Sequence, residues 1–213
     1  MVNARLEGLV DILMNTESER SELRHCRQYG TPHFWYEAVG KTSGPLSDDE
    51  QDKIVEAKKR DPPAADEVFP NLLIGNKAAA EDAGFLASKK ITHVINLASA
   101  SKSKFSVNPD KASLLRKDIA LTTHSWIENE TFSSSFDRYT RMIAESLAGG
   151  RKVMVNCWQG ASRSATIVLA YLVQYQDMPL EKAVKMVKRK RDIRPNNVFL
   201  QDLIEFEAKF KLT

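Results

Sequence analysis

The chain has 213 residues, of which 42% are apolar and 28% are charged, a composition that excludes disorder throughout. Its length suits one domain with an extension, and its net charge of +3 is too small to indicate a nucleic-acid-binding protein by itself. The sequence has no apolar run near the roughly 18 residues of a membrane helix, and "MVNARLEGLVDILM" lacks a secretory signal pattern. We therefore expect a protein of the cytoplasm or the nucleus, with no membrane or nucleic-acid partner.

Residues 1–65 are predicted to form a mainly helical N-terminal extension that ends in a linker. The apolar stripe of its first helix consists of Leu6, Leu9, Val10 and Leu13. A capping box at Ser47 to Glu50 predicts the start of a second helix, and "RDPPAADE" is typical of a linker. The main domain is predicted at residues 66–213.

The main domain shows strand patterns that alternate with helix patterns. Strands are predicted at "VFPNLLIG" and "THVINLA", with one helix at "NKAAAEDAGFLASKK" between them. A weak strand about residues 118–121 precedes a helix at 132–148, the strand "KVMVNC" and three further helices. This order predicts an α/β domain with a central, mainly parallel sheet and helices on both faces.

The turn "VMVNCWQGASRS" carries the strongest chemical signal. Cys157 ends a strand, and the backbone amides that follow it can curl around an anion at the start of a helix. Such a site stabilises a thiolate, which can attack phosphorus, while Arg163 can hold two phosphate oxygens and Ser164 can offer a hydroxyl to the sulfur. The alternative is a buried structural cysteine. Cys26 is the other of the two cysteines, too few for a disulfide framework.

This turn resembles the C-x5-R-S loop of the cysteine-dependent protein phosphatases, and the chain resembles their small atypical dual-specificity members. "DEVFPNLLIGNKAAAED", "KKITHVINLA" and "RPNNVFLQDLIEFE" extend the resemblance over about residues 66–211. It implies that Cys157 is the nucleophile, that Arg163 clamps phosphate, and that Ser164 eases departure of the sulfur. It also implies that Arg191 contacts a second acidic or phosphorylated group of the substrate. The implied phosphate-binding residues are Trp158, Gln159, Gly160, Ala161, Ser162 and Arg163.

Two positions depart from the family pattern. Asn156 stands where the family has a histidine before the cysteine; its amide can orient the loop but cannot reproduce an imidazole. The general acid of the family is an aspartate about 31 to 32 residues before the cysteine, where this chain has Ser125 or Trp126. The nearest candidates for the acid are Glu128, Glu130 and His124, and Glu128 is the predicted substitute if the loop shifts by about two residues.

The predicted function is therefore a dual-specificity protein phosphatase that needs no cofactor or metal and has weakened activity with a preference for phosphotyrosine. The expected partner is a phosphorylated protein or peptide, with a kinase as substrate by family analogy only. One alternative is a pseudophosphatase that binds phosphorylated partners without efficient turnover. Another is a related cysteine-loop enzyme with a non-protein substrate, such as a phosphoinositide or an RNA 5′-phosphate, or more remotely a rhodanese-like sulfur carrier. The oligomeric state is not predicted.

Overall fold

A computed structural model of the chain describes residues 2–16, 63–99, 119–125 and 132–211. Several sequence predictions lie outside these ranges: the capping box at 47–50, Cys26, the first three residues of the linker "RDPPAADE" and Glu128. The last three residues of that predicted linker, 65–67, belong to a strand instead. No helix in the described ranges is long and apolar enough to cross a membrane.

Five strands in the described ranges form one sheet in the order β1-β2-β5-β3-β4. They are β1 (Ala65–Phe69), β2 (Leu72–Gly75), β3 (His93–Ser99), β4 (Ala120–Ser125) and β5 (Val153–Asn156). The pairs β2–β5, β5–β3 and β3–β4 are parallel, whereas β1 and β2 are antiparallel. The predicted fold class, a mainly parallel sheet flanked by helices, is confirmed.

The predicted strand "VFPNLLIG" is in fact a hairpin of β1 and β2. The chain turns at Pro70 and Asn71, and Asn71 has a φ of 59°, in the left-handed region. Proline cannot donate a ladder hydrogen bond, and asparagine tolerates left-handed backbone better than most residues. These two residues therefore end one strand and reverse the chain into the next.

Side chains alternate between the two faces of the sheet and so divide the core into two layers. Ile74, Ile95 and Val155 contribute to the larger apolar cluster, whereas Val94 and Met154 contribute to the smaller one. The larger cluster lies under α1 (Val2–Asn15), α4 (Phe132–Ala148), α5 (Arg163–Tyr175), α6 (Leu180–Lys190) and α7 (Asn197–Lys211). Helix α5 is buried over most of its length, as its apolar run requires.

The smaller cluster lies under two short helices, α2 (Lys77–Glu81) and α3 (Ala83–Ser88). The sequence predicted one helix here, but Asp82 divides it. The Asp82 carboxylate accepts a hydrogen bond from the amide of Phe85 at 2.8 Å, as Asn76 does from Ala79 at the start of α2. A side-chain cap satisfies amides that a new helix leaves without partners, so Asp82 starts a second helix.

Helix α1 packs against α6 and α7, although it belongs to the predicted N-terminal extension. Leu9 and Leu13 are buried in the larger cluster. Arg5 forms ion pairs with Glu181 at the start of α6 and with the buried Glu207 of α7. Helix α1 therefore shares the core of the main domain, and the boundary at residue 65 stays a prediction.

Candidate active site

Cys157 lies at the carboxyl end of the central strand β5, between the ends of β2 and β3. The four residues of β5 are all buried, and α5 begins six positions after the cysteine, at Arg163. Ligands of open parallel sheets bind at such carboxyl ends, where strands meet helix N-termini. We call residues 157–163 the cradle.

Gly160 allows the cradle its tight curve. Its φ is +70°, and a Cβ atom at this position would lie 2.4 Å from the carbonyl oxygen of Gly75 and 2.6 Å from a nitrogen of Arg191. Both contacts are shorter than side chains tolerate, and a positive φ favours glycine. A hydrogen bond of 2.9 Å from the amide of Lys77 to the carbonyl of Trp158 also joins the cradle to the turn after β2.

The thiol of Cys157 is 3% exposed and lies in surroundings that stabilise its thiolate. Burial by itself raises its pKa, but the charge of Arg163, the hydroxyl of Ser164 and the amides of Ser164 and Ala161 outweigh burial. Together they lower the pKa from the ordinary value of 9.0 to about 7. The Oγ atom of Ser164 lies 3.3 Å from Sγ. Near neutral pH, a large fraction of the cysteine is therefore ionised to the thiolate, as the predicted role of nucleophile requires.

Arg163 is held at the cradle by one end of its guanidinium. Its Nη1 donates a hydrogen bond of 2.8 Å to the carbonyl oxygen of Leu97, at the end of β3. Among the residues that the structure describes, this is the hydrogen bond that its side chain makes. The remaining donors suit two oxygens of a phosphate, which an arginine fork binds side by side.

Asn156 is fully buried immediately before the nucleophile. Its Nδ2 donates to Oδ1 of Asn96 at 3.0 Å, and the two residues are register partners in the pair β3–β5. The amide thus joins two central strands at the point where the cradle begins. Its role in orienting the loop stays a prediction.

Arg191 is buried beneath the cradle and does not lie where it could make the predicted contact with a substrate. It is 2% exposed, and its guanidinium donates to the carbonyls of Gly160 at 2.6 Å and Gln159 at 2.8 Å, and to the carboxylate of Asp66 at 2.7 Å. The side chain supports the cradle from inside the protein and presents no open face to a substrate. Asp66 was not predicted to support the site, because β1 carries two acidic residues in succession and the sequence does not show that Asp66 is buried whereas Glu67 is exposed.

Trp158 and Lys77 meet at the rim of the cradle. The Nζ atom of Lys77 lies 4.7 Å from the centre of a Trp158 ring, within the range of a cation–π interaction. Lys77 is also 3.5 Å from the carboxylate of Glu81. The indole is half-buried and therefore ordered beside the cradle.

The structure brings together the predicted nucleophile, phosphate clamp, hydroxyl and cradle residues, whose roles stay predictions. The predicted general acid Glu128 lies outside the described residues, beyond the end of β4 at Ser125. Within the described part of the chain, no three histidine, cysteine or acidic side chains form a group that could hold a metal ion.

Residues 72–209 match the family model described as dual specificity phosphatase, catalytic domain. The chain is 39% identical over 140 residues to mouse dual specificity protein phosphatase 13B, an alignment that spans 64% of this chain and 69% of that protein. It is 34% identical over 151 residues to human dual specificity protein phosphatase 26, with 69% of each chain aligned.

Two solved structures share the fold. That of DUSP15 has a TM-score of 0.58 and 27% identity, covering 70% of this chain and 91% of that one. That of the human tyrosine phosphatase-like serine/threonine/tyrosine-interacting protein has a TM-score of 0.56 and 26% identity, covering 69% and 97%. The cradle joins an ionisable cysteine to an arginine. By its match to the family model and to these relatives, the chain belongs to the dual-specificity phosphatase family and is a protein tyrosine/serine/threonine phosphatase.

Proposed function

We propose that this phosphatase works through the thiolate of Cys157 and a phosphocysteine intermediate, that it prefers phosphotyrosine, and that its turnover is weak. The observation that carries the proposal is the cysteine itself: a buried thiol with a pKa of about 7, in contact with Ser164 and under the field of Arg163. A structural cysteine in an apolar site would have a raised pKa instead.

The proposed reaction has two steps. In the first, the thiolate of Cys157 attacks phosphorus and the bond from phosphorus to the substrate oxygen breaks. A serine oxygen takes a proton from Glu128 as it leaves, whereas a phenolate can leave unprotonated and then take a proton from solvent. In the second, a water molecule gives a proton to Glu128 or to solvent and attacks phosphorus, and the sulfur–phosphorus bond breaks to release inorganic phosphate and the Cys157 thiolate. Arg163 neutralises charge on the transferring group, and the Ser164 hydroxyl stabilises the sulfur as it departs as a thiolate.

The preference for phosphotyrosine follows from the leaving group. The sequence places Ser125 or Trp126 where the family has an aspartic acid, and a positioned acid contributes about 10² to 10⁴ in rate. A phenolate departs unprotonated far more readily than a serine alkoxide. If Glu128 replaces the aspartate imperfectly, turnover is slow on both substrates, and the loss is greater for phosphoserine.

The test is steady-state hydrolysis of a phosphotyrosine peptide, the matching phosphoserine peptide and aryl phosphates whose leaving groups differ in pKa. We expect kcat to fall steeply as the pKa of the leaving group rises, and Cys157→Ser to abolish turnover. Glu128→Gln should reduce kcat most for the poorest leaving groups. Glu145→Gln is the matched control, because it removes the same charge from an exposed position on α4.

Two results would contradict the proposal. Equal rates on the two peptides would contradict the phosphotyrosine preference. If the wild type is no faster than Cys157→Ser yet binds the phosphotyrosine peptide, the cradle binds phosphorylated partners without turnover. Such a result would replace the proposed enzyme with a binding module.

A further inference from the structure

The end of β3 contacts both ends of the cradle. Asn96 accepts the hydrogen bond of Asn156, which immediately precedes the nucleophile, at 3.0 Å. One residue later, the carbonyl of Leu97 accepts the hydrogen bond of Arg163, the last residue of the cradle, at 2.8 Å. A short stretch of one strand therefore fixes the residues that flank the phosphate-binding amides.

The Asn96 side chain also shapes the backbone of this stretch. Its Oδ1 accepts a hydrogen bond of 2.9 Å from the amide of Ala98, two residues further on. Asparagine side chains stabilise turns in this way, by binding the amide of residue i+2. The ladder between β3 and β4 is irregular between Asn96 and Ser99, so regular strand pairing does not hold the Leu97 peptide in place. The Asn96 side chain supplies the restraint that the ladder lacks.

The buried side-chain amides of Asn96 and Asn156 are unfavourable for the stability of the fold. Asn96 and Asn156 are both fully buried, and Nδ2 of Asn96 and Oδ1 of Asn156 have no hydrogen-bond partner within the described residues. Buried amide atoms without partners destabilise a fold, and such atoms in a native protein call for a functional explanation. The cradle beside them offers that explanation.

We propose that Asn96 is a positioning residue of the phosphatase reaction. Its Oδ1 holds Asn156 and with it the start of the cradle, and its turn aims the Leu97 carbonyl at Nη1 of Arg163. Held at one nitrogen, the guanidinium keeps its remaining donors in a fixed orientation for the phosphate oxygens. The proposal rests on the proposed mechanism, because it acts through Cys157 and Arg163.

The side chain of Asn96 makes two contacts, one to Asn156 and one to the amide of Ala98, and three variants separate them. Asn96→Ala removes both contacts. Asn96→Ser keeps a short hydroxyl that can still bind the amide of Ala98 but cannot reach Asn156. Asn156→Ala removes the contact to the cradle start and leaves the turn intact. The matched control is Thr140→Val, which removes buried hydrogen bonds of this hydroxyl to Phe136 in α4 and to Gln174 near the end of α5, away from the cradle.

Three measurements are made on each folded variant: kcat and KM for an aryl phosphate, the inhibition constant of inorganic phosphate, and the rate of Cys157 alkylation across pH. A misplacement of about 1 Å can cost about 10² in rate, so we expect Asn96→Ala to lower kcat/KM by about a hundredfold. Phosphate should bind about tenfold more weakly to Asn96→Ala but normally to Asn156→Ala. Asn156→Ala should instead shift the alkylation profile. Asn96→Ser should resemble Asn156→Ala.

If Asn96→Ala loses no more activity than Thr140→Val under conditions where both are folded, Asn96 is only structural and the proposal fails. Where Asn96→Ala does not fold, equal inhibition constants and alkylation profiles for Asn96→Ser, Asn156→Ala and the wild type would overturn it. Phosphate binding and alkylation do not require turnover. A wild type without turnover whose alkylation still responds to these variants would therefore contradict the proposed function and not the role of Asn96.

Discussion

Replacement of Arg191 by methionine should destabilise the protein and disable the cradle together. Methionine keeps much of the aliphatic length but removes the guanidinium that binds Gly160, Gln159 and Asp66. Asp66 is 5% exposed, so the variant removes the Arg191 ion pair from a buried carboxylate. Removal of one partner of a buried ion pair typically costs about 3 to 5 kcal/mol. For a chain of this size, that corresponds to a Tm lower by about 6 to 20 °C.

The assay is urea and thermal unfolding, followed by circular dichroism, beside kcat/KM for an aryl phosphate. Arg138→Met is the matched control, because Arg138 is exposed on α4 and should change stability by less than about 0.5 kcal/mol. The double variant Arg191→Met with Asp66→Leu replaces the pair with apolar side chains, which is often neutral for stability. We expect it to regain stability but not activity, since the cradle carbonyls of Gln159 and Gly160 still lack their donor.

Two outcomes would refute this reasoning. The first is an Arg191→Met protein that unfolds within about 1 kcal/mol of the wild type, since the buried pair would then contribute little. The second is strict additivity of Arg191→Met and Asp66→Leu, which would show that the two side chains do not interact.

Two further predictions concern the cradle. Gly160→Ala should abolish activity, because its Cβ atom would collide with the backbone. The control Gly8→Ala lies in open space on α1 and should raise stability by about 0.5 to 1 kcal/mol without a change in kcat/KM. An active Gly160→Ala would contradict the tight packing around Gly160. Cys157 alkylation should accelerate as pH rises through about 7 and then level off, because the lowered pKa makes the thiolate dominant above that pH. Ser164→Ala should move this midpoint upward, because its hydroxyl lowers the pKa, and an unchanged midpoint would argue against the contact.

The sequence was informative where the relevant pattern is local. The strand, the cysteine, the glycine at the third position after it and the arginine at the sixth lie within one short segment, so spacing alone predicted the cradle. The break at Pro70 was missed because the two flanking strands read as one apolar run. Likewise, Asp82 looked like one more polar helix residue and not a cap.

The support of the cradle was not predictable because it joins distant segments. Arg191 and Asp66 are 125 positions apart, and nothing in the run "KRKR" at 188–191 shows that its first and last residues are buried and its two middle residues exposed. In the structure, Arg189 and Lys190 are exposed, whereas Arg191 turns inward at the end of α6. A helix face carries no local signal for a partner on the first strand. Asn96 was read only as part of a strand for the same reason.

Asp66 binds Arg191, which supports the cradle, and Asp66 itself lies on a strand at the edge of the sheet. Within the described ranges, β1 is one of the two edge strands and pairs with β2 alone, so it has fewer strand partners than the central strands. Segments of this kind open locally at a lower free energy than the core that they border. When β1 separates from β2, Arg191 loses its counterion and the cradle loses its internal support. The enzyme should therefore become inactive at urea concentrations below those that unfold its core, a loss that refolding of one hairpin would reverse.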